Sequence, residues 1–152
     1  MRGAAVYQHI LIPTDGSKLS DRAALAGVKL AAALGARVTG LFVAPPATPL
    51  VYEHFMPVKY MPPQAHAEAI ERAAERALGA VKKAAAAAGV SCDGVSLTGD
   101  FPADAIVQTA SKRKCDLIFM ASHGRRGVAA VLLGSETQKV LAHSTVGVLV
   151  QR

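Results

Sequence analysis

The sequence predicts an α/β fold, Rossmann-like in form: an open five-stranded parallel sheet with helices on both faces. Composition is the first reason. Of 152 residues 30 are Ala, while the aromatics are three Tyr and four Phe with no Trp, a balance that favours helix over an all-β sandwich. The second reason is that short apolar runs of strand length alternate with longer stretches of helical periodicity. Strands and helices alternating at this spacing require right-handed crossovers, and these lay helices over both faces of a parallel sheet.

Each element has its own signal. His9-Ile10-Leu11-Ile12-Pro13-Thr14 is an apolar run ended by Pro, Asp and Gly, as a buried strand running into a loop would be. From Ser17 to Leu34, the residues Leu19, Ala23, Ala26, Leu30 and Ala33 recur at helical spacing, with Ser17 as N-cap and Gly35 closing the end. Arg37 to Ala44 is a second strand that stops at Pro45-Pro46. Residues 45–63 hold six of the eight prolines together with Tyr52, Phe55 and Tyr60, which marks an insertion that can serve as a lid or partner surface. Gln64 to Ala88 is a long alanine-rich helix ended by Gly89, and Val90 to Thr98 a strand. Pro102 opens a helix running to about Lys112, because proline suits the first helical turn. Asp116 to Ala121 is a buried strand, Ser135 to His143 a short helix, and Val146 to Val150 the last strand. The length suits one domain spanning 1–152, and the chain shows no internal repeat.

Charge and cysteine usage exclude several classes of function. Seventeen Lys and Arg against eleven Asp and Glu give a net charge of +6, which suits an anionic partner without specifying one. The basic residues are scattered and few aromatics lie between them, so nucleic acid is not the expected partner. Cys92 and Cys115 have neither CxxC spacing nor an adjacent His cluster, which leaves two reduced, partly buried thiols and no protein metal site. No apolar run reaches the length of a membrane span and no signal-like core develops, so the expected location is cytoplasmic with no membrane partner.

In an open parallel sheet, ligands bind beyond the carboxyl ends of the strands, which directs attention to the strand-to-helix loops. After the fourth strand the chain reads Ser122-His123-Gly124-Arg125-Arg126-Gly127, and Gly134-Ser135-Glu136-Thr137-Gln138 then opens a helix. Backbone N–H groups at a helix start bind phosphate, and glycine permits close approach because it lacks a Cβ. An alternative reading makes Ser135-Glu136-Thr137-Gln138 a capping box, with Ser135 bonding the Gln138 N–H. Arg125 and Arg126 suit either a phosphate clamp or a solvated basic loop. His123 is placed to orient water, although a histidine in a glycine loop is more often a hydrogen-bonding residue; no general base for hydrolysis stands out, and enzymatic activity stays open. The P-loop, the dinucleotide fingerprint and the nucleophile elbow are all absent from the sequence.

These motifs resemble the ATP-binding branch of the universal stress protein family over essentially the whole chain. That branch carries Gly, two residues, Gly, nine residues, then Gly followed by Ser or Thr. Here Gly124 and Gly134-Ser135 fit the last three positions, and Ala121 replaces the first glycine in Met120-Ala121-Ser122-His123-Gly124. The second signature is Pro13-Thr14-Asp15-Gly16-Ser17, after the first strand. The resemblance implies strand order 3-2-1-4-5 and a site for ATP, ADP or AMP between the two loops. Asp15 would contact adenine or ribose, Pro13 and Thr14 would line the pocket, and the Val43 backbone would recognise adenine. The phosphates would lie along Ala121 to Thr137, with Gly127 and Glu136 in that stretch and Mg²⁺ bridging phosphate oxygens. On the residues alone, Asp15 equally suits an Asx turn or helix cap. The resemblance also implies a homodimer joined through the Val146–Val150 edge and a role in stress response or signalling with an unidentified protein partner. A nucleotide-independent dimeric interaction protein on the same fold is the alternative.

Overall fold

The computed structural model describes residues 4–46, 50–53, 56–60, 62–124 and 133–152. Its elements are, in order, β1 (His9–Pro13), α1 (Lys18–Leu34), β2 (Arg37–Ala44), β3 (Leu50–Glu53), β4 (Met56–Tyr60), α2 (Pro63–Ala87), β5 (Cys92–Thr98), α3 (Pro102–Lys112), β6 (Leu117–Ala121), α4 (Ser135–His143) and β7 (Gly147–Gln151). The main sheet has the order β5-β2-β1-β6-β7 and every pairing in it is parallel. Counting only these five strands, the order is 3-2-1-4-5, as the resemblance implies. After β1 the chain passes to β2 on one side and after β6 to β7 on the other, which makes the carboxyl ends of β1 and β6 the switch point.

The helix ends follow from local chemistry. Ser17 caps α1 by accepting the Ser20 N–H, and Gly35 closes the helix in the left-handed region at φ 68°. Gly89 stands at φ 67° after α2. Beyond α3 no glycine is available, and Lys114 takes the left-handed conformation instead, at φ 55°. The insertion contains an antiparallel hairpin, β3–β4, with a register shift between Val51 and Tyr52. The prolines argue against a helix here and the sequence assigns the insertion no strands; Pro57 is accommodated because a two-stranded ribbon leaves one side of each strand unpaired.

Alternation along the strands divides the core into two layers. Ile10 and Ile12 of β1 and Leu117, Phe119 and Ala121 of β6 pack with Ala24, Val28 and Ala31 of α1 and Val81 of α2. Leu11, Ile118 and Met120 face the other way, against Ala103, Ile106 and Ala110 of α3 and Val140 of α4. Helix α1 lies close on the sheet at Gly27, where a Cβ would lie 2.9 Å from Ile12 Cδ1 and 3.0 Å from Phe119 Cδ1. At the amino end of the sheet, His9 Nε2 meets the Thr39 hydroxyl at 2.7 Å, and Thr39 donates to Asp93 Oδ1 at 2.6 Å. Arg113 pairs with the other Asp93 oxygen. Because the Thr39 proton goes to Asp93, His9 Nε2 must be the donor to Thr39, which leaves Nδ1 as a buried acceptor without a partner.

Candidate functional site

The carboxyl ends of the strands are laced together before any ligand is considered. Thr14 N–H donates to Leu41 O, Gly99 N–H to Ala44 O and Ser122 N–H to Gln151 O. Each bond extends the parallel ladder one residue past its strand, so the loops that follow start from fixed points. Between them lies a cleft of about 570 Å³.

The first wall is the β1–α1 loop. Asp15 Oδ1 accepts the Ser17 N–H at 2.9 Å and the Ser20 hydroxyl at 2.7 Å, while Thr14 Oγ1 accepts the Gly16 N–H. The turn role of Asp15 is therefore realised, yet its second oxygen reaches across the cleft. A Cβ built on Gly124 would lie 2.7 Å from Asp15 Oδ2. The two loops that carry the sequence signatures meet at this point, and glycine is what lets them.

The second wall is the end of β6 and the start of α4. Gly134 N–H donates to Ser122 O at 2.7 Å, and the Thr137 hydroxyl lies 3.1 Å from Ala121 O and 3.2 Å from Ser122 O. These bonds seat the helix start on the strand end. The N-cap of α4 is Gly134, and no described side chain caps it. Ser135 is thus the first helical residue and the capping-box alternative does not form: from that position its hydroxyl no longer precedes the N–H groups a cap must serve. The Glu136 carboxylate turns from its own helix start toward α3, with Oε2 accepting the Ala103 N–H at 2.9 Å and Oε1 3.1 Å from Lys139 Nζ.

Of the expected site residues, Pro13, Thr14, Asp15, Val43, Met120 and Ala121 line this cleft, as do His123, Gly124, Gly134, Ser135, Glu136 and Thr137. Ser122 lies beneath it, buried, sharing a 2.9 Å hydrogen bond with His123 Nδ1. Arg125 and Gly127 fall outside the described residues. Ala121 has negative φ, since Lys114 is the positive-φ residue other than glycine among those described, and its methyl joins the layer under α1. Sequence reading missed Ser20, Leu41, Pro45, Pro46 and the Gly99-Asp100 and Pro102 rim. The Gly-Asp-Phe-Pro run at 99–102 was the available signal, a turn placed at a strand end. A second groove of about 630 Å³ lies between α2 and β5, lined by Ile70, Ala74 and Leu78 with Lys82; it shares Pro45 with the cleft and is lined by no residue of β1 or β6.

Neither cysteine lines the cleft. Burial raises the Cys92 thiol above its usual range and pushes Cys115 up to about 11, so both stay protonated and weakly nucleophilic near neutral pH. Among the described residues, no group of three His, Cys, Asp or Glu is placed to hold a metal ion. Nor is any described helix long and apolar enough to cross a membrane.

Comparison with known proteins agrees with this architecture. The universal stress protein family model matches residues 6–152. A universal stress protein from Thermus aquaticus is 35% identical over 148 residues, covering 97% of this chain and all of the relative. Universal stress protein MJ0531 from Methanocaldococcus jannaschii is 33% identical over 152 residues, covering 97% of this chain and 84% of that protein. Among solved structures, the hypothetical protein MJ0577, whose structure was used to assign a biochemical function, superposes with a TM-score of 0.74 at 27% identity, covering 95% and 94% of the two chains. A universal stress protein solved in complex with cAMP gives 0.65 at 26% identity, covering 96% and 97%. With its sheet order, its paired signature loops and a family match over nearly its full length, this chain belongs to the universal stress protein family.

Proposed function

We propose that this protein binds an adenine nucleotide, ATP, ADP or AMP, in the cleft between residues 13–17 and 121–137, and that binding serves stress response or signalling by reshaping a surface that a protein partner reads. The observation that carries this reading is the meeting of Asp15 and Gly124 beside the start of α4, in a cleft large enough for a small ligand. The fit is chemical. The helix start offers N–H donors to phosphate, Gly124 leaves the approach open, and Asp15 supplies an acceptor for ribose or adenine. Val43, at the end of β2 and part-exposed to the cleft, would present its backbone to the base. A Mg²⁺ ion would be held by phosphate oxygens and water, not by a protein cage. The bound adenine nucleotide in the cAMP complex of a relative adds support by family likeness.

The same reading includes a homodimer through β7, a sheet edge whose Leu149 is 37% exposed in the single chain; covering an apolar edge removes an aggregation hazard. The deciding experiment is calorimetric titration of nucleotide-free protein with ATP, with and without Mg²⁺, after assaying the purified protein for retained nucleotide. Micromolar or tighter binding is the expected result. No heat, no thermal shift and no retained nucleotide overturn it and leave the nucleotide-independent interaction protein, the reading that Ala121 in place of glycine favours.

A further inference from the structure

Three helix starts face the same cleft: the first-turn residues Ser20 of α1, Pro102 of α3 and Ser135 of α4 all line it. Each helix start concentrates positive partial charge and unpaired N–H groups, so each is a competitor for an anion. The chain treats the three differently. On α1, Ser17 accepts the Ser20 N–H and the Asp15 carboxylate accepts the Ser17 N–H. On α3, the N-cap is Phe101, which has no side-chain acceptor, and Pro102 follows it. The Ala103 N–H is taken instead by Glu136 Oε2, from a residue 33 positions later on another helix. On α4, no described side chain supplies a cap.

Glu136 is notable for what it does not do. An acidic residue in the first turn ordinarily complements the charge of its own helix start, yet both oxygens of this carboxylate are engaged elsewhere, one on α3 and one on Lys139. The protein has therefore spent an anion on α3, while no described side chain caps α4. The Lys139 pair is exposed and contributes little by itself; its effect is to hold the carboxylate turned away from the α4 N–H groups. Asp104, in the first turn of α3, is exposed and remains there whatever occupies the Ala103 N–H.

We infer that Glu136 is a specificity-determining residue: its carboxylate stands in for an anion at the α3 start and so confines a bound phosphate chain to the α4 start. The inference rests on the nucleotide reading for the identity of the ligand, and on the Glu136–Ala103 hydrogen bond for the choice between the two helices. A clasp that merely ties α3 to α4 would affect stability and leave the position of the anion unchanged, which gives the two roles different signatures.

The test is amide chemical-shift mapping of the full chain, with ATP and sodium tripolyphosphate as probes, in wild type, Glu136→Ala and Glu136→Gln. In wild type both probes move the Ser135 and Glu136 amides and leave Ala103 and Asp104 in place. In Glu136→Ala the Ala103 and Asp104 amides move as well, and tripolyphosphate binds about two- to fivefold more tightly, the scale of one helix-start charge interaction. Glu136→Gln keeps an oxygen for the Ala103 N–H, and the α3 amides stay in place. Movement of the α3 amides in wild type, or their silence in Glu136→Ala while the α4 amides respond, overturns the inference. If Glu136→Ala does not fold, Glu136→Ser, too short to reach the Ala103 N–H, carries the same expectation and the same overturning result. Absence of any ATP response in wild type overturns the nucleotide reading alone; the tripolyphosphate response of Ala103 in Glu136→Ala then upholds the inference, and its absence overturns that too.

Discussion

At the scale of single residues, the site turns on where one methyl group can and cannot go. At Gly124 a Cβ would lie 2.7 Å from Asp15 Oδ2, and that carboxylate is held by Ser17 and Ser20. Gly124→Val should therefore weaken ATP binding at least tenfold, roughly 1.4 kcal/mol, while the sedimentation behaviour of the protein is unchanged; calorimetry and ultracentrifugation check the two halves. At Ala121 the methyl already has a place in the layer under α1. Ala121→Gly should leave the ATP Kd within about twofold and lower stability by about 1 kcal/mol, through lost packing and a more flexible chain. His9 is 4% exposed, and burial first, then Arg37, lowers its pKa below 6.5, against the opposing pull of Asp93, the Arg113 carbonyl and Asp116. The unfolded chain therefore binds a proton that the folded chain resists, so the stability present above pH 6.5 declines as pH falls below it. Burial works against ionisation of Asp93, but the Thr39 hydroxyl and Arg113 outweigh it and hold its pKa below 3.8, so its share is lost only in stronger acid. Urea melts of wild type and His9→Gln between pH 7 and 5 should show the slope in the first and a flatter profile in the second.

Elements record how far local sequence reaches. Ser17 and Gly35 announced both ends of α1, and Pro102 the start of α3, because caps and prolines act within a few residues. The two signature loops were legible for the same reason: glycine, proline and aspartate at strand ends speak of turns wherever the strands finally lie. What was not legible depends on partners distant in the chain. The Glu136–Ala103 bond spans 33 residues and the Thr39–Asp93 bond spans 54, and both require a sheet register that periodicity does not specify. Strand order likewise came from resemblance, not from spacing. The end of α3 is a case where the usual residue is missing: Lys114 stands at φ 55° where glycine is at ease. Lys114→Gly should raise stability by about 0.5–1 kcal/mol, the left-handed strain relieved less the entropy glycine adds to the unfolded chain, as a shift in the urea midpoint. Gly27 shows the opposite limit. A larger residue there meets Ile12 and Phe119 at once, and Gly27→Leu should cost about 1–3 kcal/mol or more in the same measurement.

The whole molecule is a sheet with two different edges, β5 beside α2 and β7 at the other side. Placing Asp at Leu149 would set a charge on the exposed β7 edge; in the proposed dimer, Leu149→Asp should shift the protein to monomer by ultracentrifugation while leaving its thermal midpoint for the monomeric fold intact. Separating these edges from the cleft has a physical logic, since the crevice forms where β1 and β6 diverge and so lies between the edges, not on either. The Gly134–Ser122 hydrogen bond, 2.7 Å long, carries one more consequence. It joins the chain to itself across residues 123–133, so the start of α4 is fixed by the strand end and not by the length of the segment between. The bond acts as a hinge pin: a change at the carboxyl end of β6 reaches α4 through this contact, and the helix start on which the phosphates would rest shifts only if the strand end does.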